Sequence, residues 1–393
     1  MDFMKDAMAL EKDMRELFYD LHQYPEPSHF EVRTNRRVRE ILCGVSGVEL
    51  LCPKDNITIA VIRGEKPGRT IGLRFDTDAL QMRELTDLPY KSKVDGMMHG
   101  CGHDAHTAVG VYTAILLAQK RDELCGVYKV IFQPAEEGEH GAQEVIATGL
   151  VSDADAFYGL HVWSPYETGT LHASAGAVMA APDMFKITLH GRGGHGAAPH
   201  SCVDPVAAGA ALVQSLQHIV SRFVSPMHGA VVTVGSFHAG TRCNIIAQDA
   251  VMEGTLRCFD EEDHRLILDL FERMVHDVAH AHGCTAEIEM NHVCGVTVND
   301  AHLAQIANEA AAQLVQAHKI QPQQPAMLGD DFAEYLTIAP GCYVQVGMNK
   351  PGCSAEHHHG MFRVDEEVLP LCCAWMVHSA ALAAQEGDRK SVV

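Results

Sequence analysis

Residues 70–78 read TIGLRFDTD, a short β-branched and apolar run closed by two aspartates that stand where a strand would end. The same arrangement recurs at 127–132, which is followed by QPAEEG, and at 156–160, which is followed by His161. Such runs predict buried strands, and helical patterns separate them. The sequence therefore predicts an α/β fold with a mainly parallel sheet flanked by helices. The helices of this part are expected over 3–22, 30–43 and 105–119.

A different order of elements occupies residues 182–293. The patterns predict strand 184–190, helix 204–222, strands 230–238 and 250–258, helix 260–282 and strand 284–291. This β-α-β-β-α-β order is that of a ferredoxin-like α+β unit, which forms a complete small domain. The alternation of helix and strand then resumes, with elements expected at 299–318, 342–347 and 365–385. We therefore expect one α/β domain built from residues 1–181 and 294–393, with a ferredoxin-like domain inserted between its two parts.

Composition narrows the class of protein. The 393 residues include 30 Lys and Arg against 51 Asp and Glu, a net charge of −21, which argues against nucleic acid or an anionic membrane as partner. No 18 apolar residues follow one another without interruption, so no transmembrane helix is expected. The N-terminus mixes charges into its apolar positions, unlike a secretory signal, and the 13 scattered cysteines are typical of reduced thiols in a cytoplasmic protein. The 25 histidines favour a metalloenzyme.

Chemically active side chains concentrate in segments that follow predicted strands. These segments are HGCGHDAH at 99–106, QPAEEG at 133–138 and GLH at 159–161, with EHHH at 356–359 near the C-terminus. Each has an ordinary interpretation, since a single cysteine is usually a small core residue and a glutamate pair can stabilise a helix N-terminus. Together, however, they supply the thiolate, imidazole and carboxylate ligands of a divalent metal.

The spacing of these residues also favours two metal ions over one. The side chains of an extended Cys-x-His segment diverge, so Cys101 and His103 do not bind one ion comfortably, whereas a pair of ions sharing a ligand would use both. Of the adjacent glutamates, one could bind metal and the other could accept a proton. Because the ends of parallel strands meet at one edge of a sheet, we expect the segments to form a single site.

Five motifs in order identify a family that the chain resembles. They are LRFDTDAL at 73–80, MHGCGHDAH at 98–106, FQPAEEG at 132–138, GLHVW at 159–163 and GRGGHGAAP at 191–199. Together they resemble the aminoacylase-type binuclear metallopeptidases and amidohydrolases. The best match is the branch of hippurate hydrolases, indoleacetyl-amino-acid hydrolases and N-acyl-amino-acid amidohydrolases. The resemblance covers essentially the whole chain.

This resemblance implies roles for individual residues. Glu136 is similar to the general base that activates water, and Asp78 to a carboxylate that orients a metal-binding imidazole. The implied ligands of two divalent ions (Zn, Mn, Co or Ni) are Cys101, which bridges them, His103, Glu137, His161 and His358. The motif around the last ligand departs from the family pattern, so His357 or His359 could replace His358.

The inserted domain of this family forms a homodimer and brings a histidine to the scissile carbonyl, often in the neighbouring subunit. His195 is the matching position here, and the segment containing Asn244 and Arg257 resembles residues that contact substrate. The resemblance thus implies an enzyme that hydrolyses the amide of an N-acyl amino acid and releases the amino acid. The alternatives are a dipeptidase or aminopeptidase with the same chemistry, or a non-catalytic metal-binding protein. Retention of Glu136 argues against the last.

Overall fold

The computed structural model describes residues 1–138, 140–350 and 355–385. The chain forms two compact units. The larger contains Met1–Val178, Val298–Gln324 and the chain from Asp330 onward, and the smaller contains Met179–Thr297 and Pro325–Gly329. The domain boundaries expected at 181/182 and 293/294 stay a prediction, and the end of the last expected range, 386–393, lies outside the described residues.

The elements are numbered along the chain. The strands are β1 Val48–Lys54, β2 Ile57–Arg63, β3 Lys66–Asp76, β4 Cys125–Gln133, β5 Ala156–Glu167, β6 Leu171–His172, β7 Gly176–Met179, β8 Ala181–His190, β9 Gly194–His195, β10 Ala230–Ala239, β11 Ile245–Ile246, β12 Asp249–Cys258, β13 Thr285–His292, β14 Thr297–Asn299, β15 Ile320–Gln321 and β16 Gly341–Asn349. The α-helices are α1 Phe3–Ala9, α2 Glu11–Gln23, α3 Val32–Leu42, α4 His103–Lys120, α5 Gly141–Ala147, α6 Pro205–His218, α7 Glu261–Ala281, α8 Ala301–Ala311, α9 Phe332–Tyr335 and α10 Leu369–Gln385.

The sheet of the larger unit has the order β1-β2-β4-β3-β5-β16-β6-β15. Its centre, β4-β3-β5-β16, is parallel, which confirms the predicted fold class. The strand expected at 57–62 instead runs antiparallel to both neighbours. The reason is that only residues 55–56 join it to β1, a strand the sequence patterns missed, and so short a connection can only join antiparallel strands.

Helix α4 lies directly against the parallel strands and begins within the CGHDAH segment. Gly110 makes this approach possible: a Cβ atom there would lie 2.8 Å from the Phe75 ring and 2.9 Å from the Phe132 ring. The helix is buried along almost its whole length. Its first residue, His103, is therefore held close to the carboxyl ends of β3 and β4.

One described helix, Glu366–Gln385 including its 3-10 first turn, is long and apolar enough to cross a membrane by length and composition. The expectation of no transmembrane helix rested on the lack of an uninterrupted apolar run, whereas this helix meets a criterion that allows a few charges, at a mean hydropathy of 1.4. However, 89% of its apolar window is buried inside the protein, and the indole of Trp375 donates a hydrogen bond to the Ala307 carbonyl at 2.7 Å. This helix is part of the core of the larger unit.

The smaller unit contains a four-stranded antiparallel sheet with the order β10-β12-β8-β13. Helices α6 and α7 pack on it, for example through Phe185 of β8 and Phe271 of α7, whose ring centroids are 4.6 Å apart. This strand order and the β-α-β-β-α-β sequence of elements confirm the ferredoxin-like prediction.

Candidate active site

A left-handed glycine separates the two candidate ligands at the start of α4. Gly102 has φ +98°, and a Cβ atom there would lie 2.6 Å from the Val162 side chain. Only glycine fits both conditions. The segment is therefore not extended at this position, and the expectation that Cys101 and His103 diverge is wrong: their ligand atoms lie within 4.8 Å of each other and of His161.

Cys101 belongs to two groups of potential metal ligands. The first contains Cys101, His103 and His161, and the second contains Cys101, Glu137 and His358. The Cys101 sulfur is 3.5 Å from His161 Nε2, and Glu137 Oε1 is 3.2 Å from His358 Nε2. Two groups sharing one thiol is the arrangement that a pair of ions with a bridging ligand requires.

The imidazole of His103 is oriented as a metal ligand. Its Nδ1 lies 3.0 Å from Asp78 Oδ1 and 3.1 Å from the Asp78 carbonyl oxygen. Its Nε2 is buried and has no hydrogen-bond partner among the residues that the structure describes. A histidine that donates one N–H to a carboxylate presents the lone pair of the other nitrogen, which is the usual state of a metal-bound imidazole. The residues present therefore fit a metal ion.

His161 is oriented by the backbone. Its Nδ1 donates to the Val162 carbonyl oxygen at 2.5 Å, so that Nε2 points to Cys101. Burial, with His106 and His357 nearby, lowers the pKa of His161 well below 6.5. The ring is therefore neutral and can act as a ligand.

Only one histidine of the 357–359 triplet lies among the candidate ligands. His358 contacts Glu137, whereas His357 is held between Ser164 Oγ at 2.9 Å and the Val162 carbonyl oxygen at 3.0 Å. His359 accepts a hydrogen bond from the Met361 N–H. Both nitrogens of His357 are thus occupied, although its ring lies 5.2 Å from that of His161 between centroids, and His358 is the one of the three whose nitrogen faces another candidate ligand.

Glu136 belongs to neither of the two groups that share Cys101, but its carboxylate forms a further group of potential ligands with His103 and Glu137. Its Oε2 is 3.9 Å from His103 Nε2. Burial and the neighbouring carboxylates, with Asp330 the foremost of them, raise the pKa of Glu136 well above 4.5, although Arg74 opposes this. A carboxylate with increased proton affinity beside a metal-ligand cluster can serve as a general base.

Hydrogen bonds to residues that are distant in sequence stabilise the turn that carries Glu136 and Glu137. Ala135 adopts φ +54°, and its N–H donates to the buried carboxylate of Glu31 at 2.8 Å. Asp78 Oδ2 accepts hydrogen bonds from Ser28 Oγ at 2.8 Å and from the Glu137 N–H at 3.2 Å. Neither Ser28 nor Glu31 was predicted as part of the site, and no local signal marks them, because they act on residues at least 50 positions away.

A buried arginine joins the strand ends behind the site. The guanidinium of Arg74 is fully buried and lies 2.5 Å from Asp76 Oδ2 and 2.6 Å from Asp331 Oδ1, and its Nε donates to Gln133 Oε1 at 2.9 Å. Asp76 also accepts from His106 Nδ1 at 2.6 Å. These charged groups are paired with one another, which is what their burial requires.

The remaining candidate residues lie in the smaller unit, and the structure brings together two of the three. His195 is exposed on β9 and pairs in register with Ile245, and the next residue's N–H donates to the Asn244 carbonyl oxygen at 2.9 Å. Arg257 is near the far end of β12 and donates to the Met327 carbonyl oxygen at 2.6 Å. Their roles stay predictions.

Comparison with known proteins identifies the family. The peptidase family M20/M25/M40 matches residues 72–381, and the chain belongs to this family. Thermostable carboxypeptidase 1 of Saccharolobus solfataricus is 37% identical over 373 residues, which are 93% of this chain and 94% of that protein. N-acetylcysteine deacetylase of Bacillus subtilis is 38% identical over 368 residues, 93% of this chain and 95% of that protein.

A solved structure gives the same result. The YXEP protein of Bacillus subtilis, a dinuclear metal-binding peptidase of the M20 family, has a TM-score of 0.84 at 34% identity, covering 96% of this chain and 99% of that one. The family resemblance drawn from the motifs is confirmed, and the chain is a hydrolase of the M20 family.

Proposed function

We propose that this protein is a dinuclear metal-dependent amidohydrolase that hydrolyses N-acyl amino acids to a free amino acid and a carboxylic acid. The observation that carries the proposal is the pair of ligand groups sharing the Cys101 sulfur, with the Glu136 carboxylate 3.9 Å from His103 Nε2 and outside both groups. We assign Glu136 as the carboxylate that stays free of metal. A protein that only bound metal would have no use for such a carboxylate.

Five side chains would hold the two ions. Burial and the carboxylates of Glu137 and Glu136 raise the pKa of the Cys101 thiol well above 9, so a thiolate there is stable only beside a cation. When bound, the ions supply Lewis acidity that polarises the amide carbonyl and water. Thiolate, imidazole and carboxylate suit Zn, Mn, Co or Ni. The proposed ligands are Cys101, His103, Glu137, His161 and His358.

Glu136 would carry the proton during hydrolysis. It takes a proton from the attacking water and delivers it to the departing amide nitrogen, which leaves as an amine. Burial and the neighbouring carboxylates raise its pKa, and a carboxylate with increased proton affinity is better able to take up the proton of the attacking water. Asp78 positions His103 through the hydrogen bond between their side chains.

The smaller unit would complete the site in a homodimer. We place His195 as a hydrogen-bond donor to the scissile carbonyl oxygen, and Asn244 and Arg257 as substrate contacts. The exposure of His195 and its closeness to Asn244 support the first two assignments. We also place the protein in the cytoplasm, in keeping with its free cysteines.

The relatives favour an amide whose nitrogen belongs to an amino acid with a free carboxylate, since both a carboxypeptidase and an N-acetylcysteine deacetylase cleave such a bond. A dipeptidase or aminopeptidase would instead need a group that binds a free α-amino nitrogen.

The experiment is a screen of the metal-reconstituted protein against N-acetyl and N-benzoyl amino acids and against unblocked dipeptides. We expect turnover of the acylated compounds, absent in Glu136→Gln. Preference for unblocked dipeptides would favour the alternative, and no hydrolysis of either class would contradict the proposal.

A further inference from the structure

A further cluster of potential metal ligands lies in the smaller unit and includes none of the residues assigned above, although Asp183 pairs in register with Leu256, the neighbour of Arg257. It consists of Asp183, His264 and His292, whose ligand atoms lie within 4.8 Å of one another. His264 Nε2 is 2.6 Å from Asp183 Oδ2, and His292 Nδ1 is 2.7 Å from Asp183 Oδ1. The two imidazoles thus converge on one carboxylate, each facing a different oxygen.

The three side chains come from separate elements, and the fold fixes their meeting point. Asp183 is on β8 and is fully buried, on the same side of the strand as Phe185 and therefore facing the helices. His292 is its register partner on the neighbouring strand β13. His264 projects from the first turns of α7. A group bound by all three would join two strands and a helix.

The surroundings of the cluster favour a cation. His264 Nδ1 lies 4.0 Å from Glu261 Oε2, which is too far for a hydrogen bond but adds a negative charge beside the cluster. The other ring nitrogen, Nε2, faces Asp183. The carboxylate of Asp183 is completely buried, whereas the His292 side chain is 58% exposed, so the cluster opens to solvent on one side. Ions could enter there, and water could fill the remaining coordination positions.

We propose that Asp183, His264 and His292 bind a divalent transition metal ion, for which Zn²⁺ is the best fit. Two imidazoles and one carboxylate form a common three-residue ligand set, and Zn²⁺ accepts such a set with water in the fourth position. Bonds of about 2.0–2.2 Å around a tetrahedral ion would open the nitrogen–oxygen distances to roughly 3.3 Å. The exposed ring of His292 can make that movement without disturbing the core. The ion would join the two strands where the chain enters and leaves the four-stranded sheet.

The ordinary alternative is that the histidines only satisfy a buried carboxylate, and metal stoichiometry distinguishes the two. We would treat the full-length protein with chelator, titrate it with Zn²⁺ and measure the bound equivalents by mass spectrometry of the metal after gel filtration. His292→Gln and His264→Gln are each expected to bind one equivalent less than the wild type. Their N-acyl-amino-acid hydrolysis should be unchanged, because neither residue belongs to the proposed catalytic machinery.

His228→Gln is the matched control. Its Nδ1 lies 2.6 Å from Asp263 Oδ2, so it is another histidine–carboxylate pair against α7, but it is not part of the cluster. It should bind as much Zn²⁺ as the wild type. Equal stoichiometry in the wild type and both cluster variants would overturn the proposal, as would an equal loss in the control. If circular dichroism shows that one of the two glutamine variants does not fold, the metal stoichiometry of the other variant decides. Substitution of Co²⁺ for Zn²⁺ in the wild type provides a further measurement. Co²⁺ bound at the cluster should give a d–d absorption that is retained when Cys101 is replaced by serine. The absence of this absorption would also overturn the proposed metal site. The stoichiometry result does not depend on whether the hydrolytic proposal succeeds.

Discussion

At the scale of single residues, the candidate site depends on backbone conformations that few side chains tolerate. Gly102 places Cys101 and His103 on opposite sides of a left-handed position, and Ala135 is held in the left-handed region just before the glutamate pair. A non-glycine residue in that region is strained by the order of 1 kcal/mol or more, so its surroundings must hold it. The Glu31 carboxylate provides one such contact.

Gly102→Ala tests the first of these positions. The new Cβ would meet Val162 at 2.6 Å in addition to the cost of a positive φ. We expect the free energy of unfolding in urea to fall by about 2–4 kcal/mol, with loss of bound metal. Gly149→Ala is the matched control, because Gly149 has φ +73° but no atom within 4 Å of the added Cβ. It should cost only about 1 kcal/mol and keep the metal. Equal losses in both variants would mean that contact with Val162 is unimportant.

Cys101→Ser tests the shared ligand. A serine hydroxyl is not ionised at neutral pH, whereas a metal-bound thiol is deprotonated, so both metal content and activity should fall sharply. The exposed Cys43 supplies the control, since Cys43→Ser should change neither. Full metal occupancy and a normal rate in Cys101→Ser would return this cysteine to a packing role.

The sequence could predict the parts of the site that depend on residues close together in the chain, and it could not predict contacts between distant residues. The ligand motifs were recognisable because each is a short contiguous string, just after β4 for Glu136 and Glu137, within β5 for His161 and at the start of α4 for Cys101 and His103. The contacts of Glu31, of Ser28 and of Asp331 with Arg74 were not, because their partners lie far away in sequence and only the folded sheet brings them together. The choice among His357, His358 and His359 was likewise left open, since a loop has no periodicity from which to deduce side-chain direction.

At the scale of secondary-structure elements, a buried ion pair fixes α4 against α2. His22 of α2 lies 2.6 Å from Asp104 of α4 through Nδ1, and 3.4 Å from Glu84 through Nε2. Burial lowers the pKa of His22, but these two carboxylates outweigh burial and raise it to about 9. The contact therefore anchors the helix that carries His103.

This pair predicts a dependence of stability on pH. Because the pKa of His22 is higher in the folded protein than the value of about 6.5 expected when unfolded, its contribution is fully present below pH 6.5 and is lost as pH rises towards 9. A shift of this size is worth roughly 3 kcal/mol. We expect the difference in unfolding free energy between the wild type and His22→Gln to shrink from pH 6 to pH 9.5. A difference that is constant over this range would show that the pair is not ionic.

Element boundaries were less predictable than element types, and the misses have local causes. The helix expected at 3–22 is divided at Leu10, whose N–H bonds to the Ala7 carbonyl oxygen and closes a tighter turn. The helix expected at 299–318 ends at Ala311, where Gln313 and Leu314 bond three residues back. Apolar periodicity continues across both breaks, so a periodicity argument cannot detect them.

At the scale of the whole molecule, the proposed mechanism needs residues from both compact units. His195 is in the smaller unit, and we expect it to act in the active site of the partner subunit of a homodimer. His195→Ala should lower kcat by about 10²–10³-fold with metal content unchanged, because it removes one donor to the developing oxyanion.

Mixing two inactive variants tests action across subunits. After subunit exchange, His195→Ala combined with Glu136→Gln should regain activity, because a hybrid dimer contains one site in which both residues are intact. Exchange would be verified with differently tagged subunits in the same sample. Verified hybrid dimers without activity would place His195 in its own subunit's site, and near-normal activity of His195→Ala alone would remove it from the mechanism.

The most direct test of the proposed chemistry is the turnover and metal content of Glu136→Gln, compared with Glu137→Gln. The amide keeps the size of Glu136 but cannot accept a proton, so kcat should fall by about 10²–10⁴-fold or more while both metal ions stay bound. Glu137→Gln should lose metal as well as activity. If Glu136→Gln keeps a tenth of the wild-type rate, or loses metal as Glu137→Gln does, the division of roles between the two glutamates is contradicted.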